Sequence, residues 1–283
     1  SVAFWLKKSV VNKNNNTYSV QLEELKDSSW VLKGKPVVIP YDEKDSIVCQ
    51  PKCLLAKNGT LCLSTINQNA SGKKYCVFYQ INNGSLTVRK SDYFMGSLIT
   101  SVELNTLNDN FYLSGIIDNA SNFMYECSST NVNKIDLGNY NSPKNLTICS
   151  DSMALYICGK YLNSSGEPMH FLKKYSNGAL LNYSQDLSLY SHYVMGHSFT
   201  TDGTVTSMQL LNGSLYLGIN TVHYETMHTP RYYFVVNEVT SETIRQIGNI
   251  RYNDGFDLNR LLVIYGNLAF TTKDILNSLY MLR

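Results

Sequence analysis

Residues 211–220, LNGSLYLGIN, place Asn212-Gly213 between two apolar stretches. Asn-Gly is the strongest short hairpin signal, because both central residues of a type I′ turn need φ > 0. Beyond the turn Leu215 and Leu217 alternate with Ser214, Tyr216 and Gly218, the period-two pattern of a strand. The phrase recurs as LAKNGTLCLS (55–64), LNDNFYLSG (107–115), SDSMALYICG (150–159) and, more weakly, IYGNLAFTT (264–272). The strand centres Leu61, Phe111, Leu155, Leu215 and Leu268 are spaced by 50, 44, 60 and 53 residues.

Each hairpin is followed by a second apolar run: KKYCVFYQI, SNFMYECSS, MHFLKKYS, RYYFVVNEV and SLYMLR. A third short strand often comes next, as in GSLTVR, NKIDLG, GALLNYS and TIRQIG. Four strands in roughly 40–50 residues describe a β-propeller blade. A β-sandwich is the competing all-β reading, but its turns come every 8–12 residues or so with no longer period. No amphipathic helix of ten or more residues stands out. Residues 17–50 hold enough strand-like text for one more compact blade (TYSVQLEEL, SWVLKG, KPVVIP). The chain opens on SVAFWLKK, one strand too many, and ends after SLYMLR, one strand short. The expectation is a single all-β domain over 1–283. It is a six-bladed propeller, with five blades as the alternative, and residues 1–8 complete the last blade.

The unit LNGSLYLG…RYYFVVNEVTSETIRQIG resembles a kelch-type blade: turn, strand, variable loop, aromatic-bearing strand, turn, strand. The resemblance is one of layout and covers about four blades. Gly115, Gly159 and Gly218 stand single where kelch blades carry a glycine pair, and the only tryptophans are Trp5 and Trp30.

Composition bears on the compartment. Only 16% of residues are charged, against about 25% in a typical soluble domain. Nine Asn-X-Ser/Thr sequons occur, at Asn15, Asn58, Asn69, Asn83, Asn119, Asn145, Asn163, Asn182 and Asn212. With 30 Asn and 49 Ser or Thr, chance supplies roughly five of this acceptor motif. Asn58, Asn83 and Asn212 fall on expected hairpin tips, as N-glycosylation requires. The seven cysteines fit no zinc signature, so an oxidising compartment with disulfides is expected. Cys149 and Cys158 flank a polar turn, and so do Cys53 and Cys62. Cys62–Cys76 competes with the latter pair, and Cys127 is a candidate for the odd thiol. No apolar run approaches the roughly 18 residues of a membrane span. A removed signal peptide is expected before Ser1. The net charge of +2 comes without a Lys/Arg stripe, which argues against nucleic acid as partner.

The nucleophile-elbow, zincin, P-loop and dinucleotide motifs are all missing. A sialidase would gather three arginines and carry S-x-D-x-G-x-T-W boxes; TTDGTVTS (200–207) fails that box. A carboxylate pair for glycoside hydrolysis is spatial, so a glycosidase remains the alternative function, with a purely structural glycoprotein as a third. The most particular feature is a doubled phrase, HYVMGH (192–197) and HYETMH (223–228). With TVTSMQL innermost and SLYLGIN, RYYFVVNEV and TIRQIG following outward, both phrases and NIRYNDGFDLNR (249–260) leave at one end of the blade. The candidate contact residues are therefore His192, Tyr193, His197, His223, Tyr224, His228, Arg251, Tyr252 and Arg260. A five-residue His spacing is no familiar metal pattern, so neither metal nor cofactor is expected. Tyr offers large contact area at low entropy cost. A protein or glycan partner at a cell or virion surface is the expected ligand, and the oligomeric state stays open. In low charge and sequon load the chain is similar in style to the propeller heads of enveloped-virus attachment glycoproteins. That resemblance implies an extracellular receptor-binding or adhesion module.

Overall fold

The computed structural model describes residues 18–20, 23–26, 29–32, 37–39, 46–55, 60–82, 85–183, 191–194, 197–200, 203–226, 229–240, 243–252, 260–264, 267–271 and 279–281. Among them every regular element is a β-strand. The first four strands are short: β1 (Tyr18–Val20), β2 (Glu23–Lys26), β3 (Ser29–Leu32) and β4 (Val37–Ile39). Sheet I follows, with β5 (Ser46–Leu55), β6 (Leu61–Gln68), β7 (Lys74–Asn82) and β8 (Ser85–Lys90). Sheet II has β9 (Ile99–Leu107), β10 (Asn110–Ile117), β11 (Ser121–Cys127) and β12 (Val132–Lys134). Sheet III has β13 (Asn141–Ser150), β14 (Leu155–Leu162), β15 (Pro168–Ser176) and β16 (Ala179–Asn182). A hairpin of β17 (Ser191–Val194) and β18 (His197–Thr200) intervenes. Sheet IV has β19 (Thr204–Leu211), β20 (Ser214–Thr226), β21 (Thr229–Val239) and β22 (Ile244–Tyr252). Sheet V has β23 (Arg260–Ile264), β24 (Asn267–Thr271) and β25 (Leu279–Met281).

Sheets I to V are antiparallel meanders in chain order. The turns enforce this. Asn212 and Gly213 have φ of 52° and 83°, and Asn177 and Gly178 have 51° and 76°. Both Asn-Gly pairs thus take the left-handed conformations that a two-residue hairpin needs. The first strands of successive sheets lie against one another: β5 on β9, β9 on β13, β13 on β19, β19 on β23. The last strands, β8, β12 and β16, are largely exposed. First strand inside and last strand outside, sheet after sheet, is the arrangement of propeller blades.

Face-to-face packing explains why the second strands are buried almost throughout rather than on alternate residues. In β10, Phe111 and Leu113 pack with Cys62, Ile66 and Phe78 of sheet I. Tyr112 and Ile116 pack with Leu146, Ile157 and Phe171 of sheet III. Cys158 and Leu172 of sheet III meet Val205, Leu217, Tyr233 and Val235 of sheet IV. Phe234 and Val236 meet Leu261 and Leu268 of sheet V. Alternation is present, but it selects which neighbouring sheet a side chain meets.

The single glycines have a packing reason. Gly115 and Gly159 pair directly with Phe123 and Phe171 of the next strand. A Cβ at Gly159 would stand 2.3 Å from Phe171 Cζ, and one at Gly115 2.6 Å from Phe123 Cζ. In sheet I the corresponding pair is Thr65 with Val77, and a smaller partner leaves room for a side chain. Between the inner strands the contacts are polar. Ser101 Oγ donates to Asn145 Oδ1 at 3.2 Å, and Asn105 Nδ2 to Ile148 O at 3.3 Å. Asn145 Nδ2 donates to Val205 O. Ser207 Oγ accepts from Leu261 N at 2.8 Å, and Gln209 Nε2 donates to Leu261 O at 3.2 Å.

Two expectations need correction. Residues 17–50 do not form a four-stranded blade: β1 pairs with β4 around a β2–β3 hairpin, giving nested two-stranded ladders. Pro36 and Pro40, which lack N–H donors, flank the three residues of β4 in the sequence. HYVMGH (192–197), expected in a loop ahead of the first strand of its blade, falls instead on the hairpin of Ser191–Val194 and His197–Thr200. Residues 1–8, expected to close the ring, lie outside the described residues.

Gly159→Ala should destabilise the fold by about 1–3 kcal/mol, the usual cost of overpacking. Adding Phe171→Leu should recover part of the loss. Urea midpoints of the single and double variants check this; an unchanged midpoint for Gly159→Ala would contradict the packing.

Candidate functional site

Sheet IV has the strand order expected from sequence, with TVTSMQL innermost and SLYLGIN, RYYFVVNEV and TIRQIG outward. Its second and third strands outrun the first. β19 ends its pairing at Thr204↔Asn220, whereas β20 continues to Thr226 and β21 starts at Thr229. β22 accompanies them as far as Tyr232↔Tyr252. The extension makes a fin that passes the inner strand by roughly 20 Å, at about 3.4 Å per residue. Its end of the molecule also receives the turns β6–β7, β10–β11 and β14–β15. The β17–β18 hairpin leads into β19 from that same end through 201–203 only.

Register divides what the sequence read as one patch. Residues directly opposite in an antiparallel ladder share a face. Tyr224 opposes Pro230, Val222 opposes Tyr232, and Tyr232 opposes Tyr252. These positions lie on the face of sheet IV that carries Phe234, which packs on sheet V. His223 opposes Arg231, and Arg251 opposes Tyr233. Those positions lie on the opposite face, whose Tyr233 packs on sheet III. In the β17–β18 hairpin His192 and His197 share one face with Val194 and Phe199, and Tyr193 lies on the other with Ser198. Arg260 opens β23 opposite Thr271. His228 lies outside the described residues. Arg231 and Tyr232 escaped the sequence reading; pairing HYETMH against TPRYY about its centre would have found both.

The sequons differ in setting. Asn119, Asn182 and Asn212 are exposed. Asn69 and Asn163 shape their own turns, with side-chain oxygens accepting from Ser71 N and Lys73 N and from Ser165 N and Glu167 N. Asn145 is half-buried, and its amide nitrogen donates to Val205 O between sheets III and IV. Asn15, Asn58 and Asn83 lie outside the described residues.

The expected disulfides are not formed. Cys62, Cys76, Cys127, Cys149 and Cys158 are buried thiols. Cys149 opposes Tyr156 while Cys158 opposes Thr147, a diagonal relation. Diagonal Cα atoms lie about 7–8 Å apart, beyond the usual disulfide span of roughly 4.4–6.8 Å. Cys53 opposes Leu63 and Cys62 opposes Leu54, so the two positions fall on opposite faces of sheet I. Burial pushes the Cys158 thiol up to about 12 and Cys127 up to about 11. Burial, then the nearby Asp151, raises Cys149 well above the ordinary thiol range.

The other end of the sheets carries a repeated pair. Tyr112 OH donates to Glu126 Oε1 at 2.5 Å, and Tyr216 OH to Glu238 Oε1 at 3.1 Å. Each Tyr opposes its Glu in register. Burial first and the carboxylate second hold both phenols protonated, so these pairs serve as cross-strand hydrogen bonds. Among the described residues no group of three His, Cys, Asp or Glu is placed to hold a metal ion. No helix there is long and apolar enough to cross a membrane.

No protein-family model matches the chain, and no curated protein matches its sequence. Among solved structures it is similar to the WD40 domain of SCAP from fission yeast, at 10% identity and a TM-score of 0.42, covering 92% of this chain and 66% of that one. A mutant of AofleA from Arthrobotrys oligospora gives 11% and 0.45, covering 93% and 75%. Trypanosoma rangeli sialidase gives 11% and 0.41, covering 78% of this chain and 38% of the sialidase. The blade assignment stands on the strand order and packing described above.

At pH 8 the raised thiols stay protonated and buried. Iodoacetamide should therefore leave Cys149 and Cys158 unlabelled in the native protein and label both after denaturation without reductant, as peptide mass spectrometry would show. Labelling that needs a reductant would restore the bridges.

Proposed function

We propose that this chain is an extracellular, surface-displayed or secreted glycoprotein head that binds a protein or glycan partner through the fin of β20, β21 and β22. One observation carries the reading. All nine sequons lie at or before Asn212, and residues 213–283 contain none, so the fin is built from the sequon-free part of the chain. Sugars on Asn69, Asn119 and Asn163 would sit on turns at the same end of the molecule and leave the fin as its bare projection. The fin sets Tyr224, Tyr232 and Tyr252 at neighbouring positions on one face, and aromatic anchors of this kind dominate binding energy.

The test is binding to receptor-bearing cells. Tyr193→Ala with Tyr224→Ala should weaken binding by more than about 2 kcal/mol, the hot-spot threshold, without a change in melting temperature. Enzymatic removal of N-glycans should leave binding intact. Full binding by the double variant would retire the fin as the contact surface.

The same proposal includes a closed ring in which the short ladders of β1 to β4 take the place of the sixth blade and residues 1–8 complete sheet V beside β25. Deleting residues 1–8 would then bare strand edges and their unpaired backbone groups. The expected outcome is aggregation or failed secretion; normal secretion with an unchanged melting temperature would show another closure.

A further inference from the structure

The segment between sheets I and II, residues 91–98, holds apolar side chains in solvent on a backbone clamped at both ends. Tyr93 is 60% exposed, Met95 69% and Leu98 49%. Among the described residues no other stretch of six exposes three large apolar side chains. Ser91 N donates to Cys76 O at 2.9 Å, and Phe94 and Lys74 exchange backbone hydrogen bonds of 2.7 and 2.8 Å. The Phe94 ring packs on the core between sheets I and II and stacks on Phe123, 5.5 Å between centroids. At the other end Asp118 Oδ1 accepts from Ser97 N at 2.8 Å, from Ser97 Oγ at 2.9 Å and from Leu98 N at 2.6 Å. Asp118 N in turn donates to Leu98 O at 2.8 Å. Gly96 allows this close approach, since a Cβ there would stand 2.1 Å from Ile117 Cγ2. So fixed, the segment cannot fold its apolar side chains away, and an exposed apolar cluster of this kind marks a contact.

The residue after the clamp supplies the occupant. Asn119 follows Asp118, and Asn119-Ala120-Ser121 is a sequon. Asp118 and Asn119 take φ of 54° and 51°, and Ala120 N donates to Ile117 O at 2.9 Å. Asn119 therefore stands exposed at the tip of a tight turn. We propose that the first sugars of an N-glycan on Asn119 pack over Leu98 and Met95, which makes the glycan a fixed part of the surface. The attaching step is that of any N-glycan: Asn119 Nδ2 displaces a lipid diphosphate from C1 of the sugar, and the amide proton leaves with it. A pyranose ring carries hydroxyls around its rim and C–H groups on its faces. Removing such apolar surface from water, together with Leu98 and Met95, is favourable in proportion to the area covered. Asn69, the other sequon beside the segment, is the poorer source of cover. Its amide is held in its own turn, with Oδ1 accepting from Ser71 N, Ser71 Oγ and Lys73 N. The proposal rests on the glycoprotein reading above and gives one of its sugars a defined seat.

Peroxide oxidation of the whole secreted chain, read by peptide mass spectrometry, tests it with Met153 as internal control. Met153 is 76% exposed and lies in the β13–β14 turn, at the opposite end of the sheets. The comparison is with Ser121→Ala, which abolishes the sequon and keeps Asn119, a residue type that tolerates positive φ. Met95 should oxidise to the sulfoxide roughly threefold or more slowly in the glycosylated protein than in this variant. Met153 should react equally in both. Trimming the glycan to its first sugar should preserve much of the protection, and complete enzymatic removal should abolish it. Ser121→Ala should also lower the melting temperature by a few degrees, and by less in a Leu98→Ser background, where the apolar seat is already gone. Equal oxidation of Met95 with Asn119 occupied and empty would overturn the packing and leave the glycoprotein reading intact. An Asn119 found bare while other sequons carry sugar would overturn this proposal alone. A secreted chain bare at every sequon would retire both.

Discussion

Each of sheets II, III and IV has two apolar faces, and that constraint organises the molecule. A sheet with one solvated face can stand on a single layer, but a four-stranded meander that is apolar on both sides must be covered twice. Phe111 and Leu113 need sheet I while Tyr112 and Ile116 need sheet III. The sheets therefore stack face to face in chain order. Among the described residues every buried core cluster that joins two sheets joins neighbours in sequence, so stability is distributed through interfaces, much as in other repeat architectures.

Close stacking makes demands on single residues. A phenylalanine on the third strand fills the interface only if the second strand yields the space, which Gly115 and Gly159 do by having no Cβ. At the hub, where first strands converge, apolar packing gives way to an amide and hydroxyl seam. Asn145 is its clearest member: its oxygen accepts from Ser101 and its nitrogen bonds to Val205 O, so one side chain ties sheet III to sheets II and IV. The residue thus reads as a glycosylation acceptor in sequence and acts as a structural rivet in the fold.

The fin follows from the same economy. Below Asn220, β20 and β21 are clamped between sheets III and V, and their side chains are committed to packing. Above it the inner strand has ended, and β20, β21 and β22 continue as a ladder. Strand alternation then separates chemistry with no additional device: tyrosine positions face the sheet V side, and the His223, Arg231 and Arg251 positions face sheet III.

The sequence by itself determined the strands of sheets II to IV and their order. Asn-Gly turns require positive φ, apolar runs of eight or so residues require burial, and their recurrence every 44 to 60 residues requires repeated sheets. It also determined that HYETMH caps the hairpin of β20 and β21, since that follows from counting along one sheet. What it did not contain was cross-strand register and cross-sheet facing. A shift of one position moves a residue to the opposite face, so Cys53 and Cys62, nine residues apart around a turn, fall back to back. Tyr224 and His223, adjacent in the chain, part company for the same reason. Lys160 and His170 carry no motif at all, and only register puts them opposite one another on the face of sheet III that packs on sheet IV. The chain specifies each ladder locally, through turns and patterns a few residues long. Which ladders face one another is decided by apolar faces that must find cover, and that is a property of the assembled fold.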